Sequence, residues 1–69
     1  MPYESNADLP ASVRGHLPPH AQDIFREAFN AAWENYADRG PQREAIAFRV
    51  AWSAVKKAYR KLGDDWVAW

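Results

Sequence analysis

The chain has 69 residues, no cysteine, and nine basic side chains balanced by nine acidic ones. Disulfide cross-links are therefore excluded. With a pI near 6.7, the chain lacks the strong positive field that is typical of nucleic-acid-binding domains. The composition, 48% hydrophobic and 26% charged, predicts one globular domain over residues 1–69. Four Trp, three Tyr and three Phe residues supply the apolar area that so short a chain needs for a core.

The sequence also bears on location. Residues 1–10 carry two carboxylates and lack the basic and apolar regions of a signal peptide. No apolar run approaches the ~18 residues that a membrane-spanning helix needs. We therefore expect a cytoplasmic protein that is not inserted in the membrane, and we expect it to be a monomer.

Prolines and glycines divide the chain into three predicted helices of unequal length, so the expected fold is mainly α-helical. Prolines stand where helices can begin, because the first helical position tolerates a missing N–H. Glycines stand where helices can end. The residues concerned are Pro10, Pro19 and Pro41 at the starts and Gly15, Gly40 and Gly63 at the ends.

The first predicted helix is short, about residues 10–14, and the second spans about residues 19–37. At 100° per residue, the apolar side chains of the second helix fall in one sector about 100° wide. Acidic residues hold the opposite side. We interpret them as a solvated face, because carboxylates spaced along a straight helix cannot wrap around a cation. These acidic residues are Asp23, Glu27, Glu34 and Asp38.

The third predicted helix spans about residues 41–62, and the short link before it predicts that it packs antiparallel to the second. One apolar stripe of this helix faces the second helix. Another apolar group, around Ile46 and Val50, lies on a different side, where helix 1, the chain ends or a partner could cover it. The predicted core residues are Phe25, Phe29, Trp33, Trp52, Val55 and Tyr59.

The C-terminal tail, residues 64–69, favours an extended conformation over a further helix, because it contains two Trp and a Val. We expect it to pair with residues 1–4, so that the chain ends form a small antiparallel two-stranded ribbon. Trp66 and Trp69 either close the core from this end or form an exposed anchor.

The sequence predicts neither a catalytic site nor a cofactor or metal site. His16 and His20 are four residues apart, but Gly15 and Pro18 interrupt the helical turn and no cysteine completes a tetrahedral site. The serines and histidines lack a triad-like spacing and a glycine-rich loop. We therefore expect a non-enzymatic protein.

The best candidate site is a cluster of cations on the third predicted helix. Cations near a helix C-terminus relieve its dipole and keep the surface soluble. The alternative is a contact face for acidic protein, anionic lipid or nucleic acid. The candidate partner-binding residues, which fall within about 100° on a helical wheel, are Arg49, Lys56, Lys57 and Arg60.

Ordered blocks over nearly the whole chain resemble the ChaB family. The blocks are Met1-Pro2-Tyr3, Asp8-Leu9-Pro10, Leu17-Pro18, His20-Ala21-Gln22-Asp23-Ile24, Glu27-Ala28-Phe29-Asn30, Ala32-Trp33, Val50-Ala51-Trp52 and Gly63-Asp64-Asp65-Trp66. The resemblance implies a compact helical fold with a small sheet, and a protein that regulates a sodium/calcium–proton antiporter. It brings no catalytic residues with it.

The residues and the resemblance together predict a small regulator or adaptor that acts through protein–protein contact. Its cationic helix face would meet an acidic cytoplasmic loop of a cation antiporter. The alternative is a nucleic-acid-binding module that uses the basic face of the last helix. The resemblance allows this alternative, because some ChaB-like proteins, notably viral ones, are associated with DNA binding, but the neutral net charge argues against it.

Overall fold

The computed structural model describes residues 2–69 as helices followed by a short C-terminal ribbon. The helices are α1 (Ala11–Arg14), α2 (Pro19–Asn35) and α3 (Arg43–Ala58), and the strands are β1 (Tyr59–Leu62) and β2 (Asp65–Ala68). Turns of 3-10 helix occupy Asn6–Asp8 and Ala37–Gln42. The predicted class, mainly α-helical with a small two-stranded antiparallel ribbon, is confirmed.

The two long helices form the predicted antiparallel hairpin. Phe25 of α2 meets Trp52 of α3 edge-on, with ring centroids 5.1 Å apart. One turn further along α2, Phe29 meets Phe48 at 5.0 Å, one turn earlier on α3. Position numbers therefore rise along one helix as they fall along the other. The link that allows this reversal contains Gly40 at φ 59°, a backbone conformation that disfavours side chains with a Cβ.

The buried apolar residues form one cluster between the helices. Three of the six predicted core residues, Phe25, Phe29 and Val55, are fully buried in it. Trp33, Trp52 and Tyr59 are half-buried and pack against it. The buried apolar residues are Leu9, Val13, Leu17, Ala21, Phe25, Phe29, Ala32, Ala47, Ala51 and Val55.

The predicted end of the third helix at residue 62 was wrong. Helix α3 ends at Ala58, and Tyr59 already has extended backbone angles of φ −131° and ψ 156°. Residues 59–62 instead pair with residues 65–68, with Tyr59 opposite Ala68 and Leu62 opposite Asp65. A helical wheel cannot detect this ending, because Tyr59 and Leu62 continue the apolar stripe of the helix. Residues 59–62 can pair with residues 65–68 only if a tight turn joins the two segments.

That tight turn is Gly63-Asp64. Gly63 has a φ of 65°, and no residue other than glycine has a positive φ within residues 2–69. A positive φ at the first central position with a negative φ at the second is the pattern of a type II′ turn, which favours glycine there. The ribbon thus has both strands in the C-terminal part of the chain, and the expectation that residues 1–4 supply one strand was wrong.

The N-terminal segment packs against α2 instead, through the side-chain amide of Asn30. The backbone N–H of Tyr3 donates to Asn30 Oδ1 at 3.2 Å, and Asn30 Nδ2–H donates to the carbonyl of Tyr3 at 2.7 Å. The Tyr3 ring lies 4.8 Å from that of Phe29. Asn30 therefore gives this segment the two hydrogen bonds that a neighbouring strand would have supplied.

The environment of Tyr3 predicts a pH effect. Burial, and then the nearby negative charge of Glu44, raise the pKa of the Tyr3 phenol above its ordinary value of 10.0. The folded state thus favours the neutral phenol, so its contribution to stability is complete below pH ~10 and is lost as the pH rises through the raised pKa. Between pH ~9 and ~11, Tyr3→Phe should lose less unfolding free energy than the unsubstituted chain, measured by urea titration. Equal losses would contradict the prediction, since lysine deprotonation is common to both proteins.

Candidate functional site

The structure divides the predicted cationic face between two elements. Arg49, Lys56 and Lys57 lie on α3, whereas Arg60 lies on β1, because the helix ends before it. All four side chains are exposed. We call these four side chains the basic surface. The prediction that they share one helical face is therefore corrected: three do, and the fourth continues the surface onto the ribbon.

The charges of the chain are separated along its length. Residues 1–38 carry six acidic and two basic side chains, whereas residues 39–61 carry seven basic and one acidic. Within residues 2–69, one salt bridge is formed, between Arg26 and Asp23 at 3.7 Å. The basic surface is therefore not neutralised by ion pairs in this part of the chain, and the neutral net charge conceals a charge asymmetry.

Arg43 has a different role from the cations of the basic surface. Its Nε–H donates to the carbonyl oxygen of Trp33 at 2.7 Å, near the C-terminus of α2, and its guanidinium lies 4.0 Å from the centroid of the Trp33 ring. A cation at this position satisfies a terminal carbonyl and interacts favourably with the helix dipole. Arg43 thus fastens the start of α3 to the end of α2.

The ribbon places the two tail tryptophans in different environments. Trp66 is half-buried, and its ring lies 5.4 Å from that of Trp52. Trp69 is 76% exposed; its indole N–H donates to the carbonyl of Lys56 at 3.2 Å, and the Arg60 guanidinium lies 5.4 Å from its ring. Of the two roles that the sequence left open, Trp66 closes the core and Trp69 is exposed.

The second apolar side of α3 is only partly covered. Ala47 is fully buried, Ile46 is half-buried, and Val50 is 37% exposed. Val50 lines a shallow groove of about 290 Å³ together with Arg49 and Lys57. An apolar side chain therefore lies within the basic surface.

A larger groove, of about 470 Å³, lies where α1, α3 and the ribbon meet. The residues that line it come from elements widely separated in the sequence, so neither helical periodicity nor a short motif could have predicted it. Only Lys56 among them belongs to the basic surface. The lining residues are Ser12, His16, Trp52, Lys56, Lys61, Asp64 and Trp66.

His16 lines the larger groove, whereas His20 and the acidic residues of the second predicted helix line neither of these two grooves. Asp23 Oδ1 accepts a hydrogen bond of 2.6 Å from Asn6, so part of the acidic face supports the N-terminal turn. His20 lies beside Tyr59, with ring centroids 6.3 Å apart. No set of three or more His, Cys, Asp or Glu side chains within residues 2–69 is placed to hold a metal ion.

The helices of residues 2–69 include none with the length and apolar character to cross a bilayer. The fold defines a small helical protein whose basic surface, which has no ion pairs within residues 2–69, lies beside exposed apolar side chains. Residues 9–68 match the ChaB family, and the chain belongs to that family, as its sequence predicted.

Curated relatives of the chain include proteins from Escherichia coli (strain K12) and Shigella flexneri that carry the name "Putative cation transport regulator ChaB". Each is 51% identical over 70 aligned residues, covering 94% of this chain and 92% of the relative. An NMR solution structure of a protein of the same name superposes with a TM-score of 0.89 at 47% identity, covering 99% of both chains. The fold is therefore that of a ChaB protein, and the names of the relatives support a regulatory role.

Proposed function

We propose that the protein is a non-enzymatic regulator of a cation/proton antiporter, acting in the cytoplasm by direct contact with an acidic segment of that transporter. The observation that carries the proposal is the basic surface: four exposed cations, without ion pairs in residues 2–69, at the end of α3 and the start of β1. The regulatory part of the proposal is supported by the relatives, whose names refer to cation transport.

The basic surface exceeds what helix stability requires. A helix dipole is relieved by cations within the last turn of the helix. Lys56 and Lys57 meet that need, whereas Arg49 lies two turns earlier and Arg60 lies beyond the helix end. Charges at the rim of an interface mainly set the association rate and the orientation of the partners. We therefore assign the surplus cations to the capture of a negatively charged partner.

Reversing two of these charges should weaken binding without unfolding the protein. The variant Arg49→Glu/Lys57→Glu changes exposed side chains, so we expect a melting temperature close to that of the unsubstituted chain. Affinity for a cation/proton antiporter in nanodiscs, measured by biolayer interferometry, should fall about tenfold or more, mostly in the association rate.

The charge-conserving variant Arg49→Lys/Lys57→Arg is the matched control and should bind normally. Unchanged affinity of the charge-reversed variant would eliminate the basic surface as the contact region. No binding by the unsubstituted chain would eliminate the antiporter as the partner.

Nucleic-acid binding is checked by fluorescence anisotropy with labelled oligonucleotides over a salt series. Micromolar binding with a steep salt dependence would support that alternative instead.

A further inference from the structure

The 470 Å³ groove between α1, α3 and the ribbon has the size of a recognition site, within the range of about 300–1,000 Å³ typical of ligand pockets. It exists only because the chain turns at Gly63 and returns Trp66 to the side of Trp52. The predicted straight helix to residue 62 would have carried Lys61 away from it. The groove is therefore a product of the ribbon.

The lining of the groove combines aromatic area with positive charge. Trp52 and Trp66 are half-buried neighbours, and neither indole N–H takes part in the hydrogen bonds of residues 2–69. Lys56 and Lys61 are exposed and make no salt bridge within the same residues, and Asp64 is the one carboxylate among the lining residues. Apolar rings and unpaired donors in one groove suit a ligand with an apolar body and negative charge.

We infer that this groove binds an acidic peptide segment of the partner protein, with one apolar or aromatic side chain of the segment against the two indoles. The carboxylates of the segment lie beside Lys56 and Lys61. The inference rests on the proposed function, since it specifies the partner chemistry, and it adds a second contact region beside the basic surface. Trp residues in pockets are frequent anchors of protein interfaces, because they bury much area at little entropic cost.

A peptide fits the groove better than a nucleic acid does. A nucleic acid requires a longer positive track than two lysines, because its affinity comes from several phosphate contacts. A short acidic peptide needs only one apolar anchor and two cations.

The direct test uses the full ¹⁵N-labelled chain and a synthetic pentapeptide, DEFED, acetylated and amidated at its ends. Titration should shift the indole N–H resonances of Trp52 and Trp66, whereas that of Trp33, at the far end of the helical hairpin, should stay in place. The peptides DEAED and KKFKK should each bind at least about tenfold more weakly, because one lacks the apolar anchor and the other the charge. Shifts confined to residues outside the groove, or equal binding of all three peptides, would overturn the inference.

Two variants separate this inference from the proposed function. Ser12→Trp fills the groove from α1, and Lys61→Glu reverses a groove charge that is not in the basic surface; each should weaken DEFED about tenfold. If Ser12→Trp fails to fold, Lys61→Glu decides alone. Arg49→Glu is the matched control outside the groove and should change DEFED affinity less than about threefold.

The same variants give a different pattern with the antiporter. If Lys61→Glu binds it normally and Arg49→Glu/Lys57→Glu does not, the groove is excluded and the proposed function stands. If Lys61→Glu binds it weakly and Arg49→Glu/Lys57→Glu binds it normally, the groove stands and the basic surface is excluded.

Discussion

Replacing Phe25 by Ala should remove a large part of the unfolding free energy of the protein. Phe25 is fully buried, and its ring contacts those of Trp52, Phe48 and Phe29 at centroid distances of 5.1, 5.9 and 6.3 Å. A buried Phe→Ala change costs about 3–5 kcal/mol, since it loses transfer free energy and leaves a cavity. A domain of this length has a total stability of only about 3–10 kcal/mol. The expected loss is therefore about a third or more of the total stability of the fold.

Urea titration followed by far-UV circular dichroism measures this effect. Phe25→Leu should keep the fold and cost about 1–2 kcal/mol, which gives a measurable value if the Ala variant is unfolded. Val50→Ala is the control at an apolar site on the surface of α3 and should cost less than about 0.5 kcal/mol. A Phe25→Ala midpoint close to that of Val50→Ala would show that the packing between α2 and α3 is not what stabilises the protein.

The second large effect is expected at Asn30, the only buried polar residue within residues 2–69, with 3% of its surface exposed. Asn30→Ala removes the hydrogen bonds to both backbone groups of Tyr3, at 2.7 and 3.2 Å. Each is worth about 1 kcal/mol, and the partly buried peptide groups of Tyr3 lose their partners. We expect a loss of about 2–3 kcal/mol and a melting temperature lower by at least about 8 °C.

Loss of the amide should also release the N-terminal segment, because no other hydrogen bond of residues 2–69 holds Tyr3. Hydrogen exchange of the Tyr3 amide should become fast, and the ring-current shift from its contact with Phe29 should disappear. Asn35→Ala, at the exposed last residue of α2, is the matched control and should change stability by less than about 0.5 kcal/mol. If the Tyr3 amide of Asn30→Ala stays protected from hydrogen exchange, Asn30 is not what holds the N-terminal segment in place.

The candidate site was only partly predictable. The four cations of the basic surface could be chosen from the sequence, because charge type and helical spacing are visible there. Their arrangement could not, since Arg60 changes element. The role of Arg43, which lies outside that cluster, could not be predicted from the sequence, because its contact with the Trp33 carbonyl depends on how the two helices meet. Asn30 gave no signal either: one polar residue within an amphipathic pattern is indistinguishable from a surface position.

The sequence by itself determined the helical hairpin. The periodic apolar residues of α2 and α3, the reversal at Gly40 and the extended tail all follow from interactions between residues close in the chain, which periodicity and turn chemistry report directly. The tertiary structure alone decided where α3 ends, which segment pairs with the tail, and which groove forms. Residues 59–62 can continue a helix or form a strand with similar local propensity, and the choice depends on packing Trp66 against Trp52, a contact across fourteen residues that no local pattern encodes.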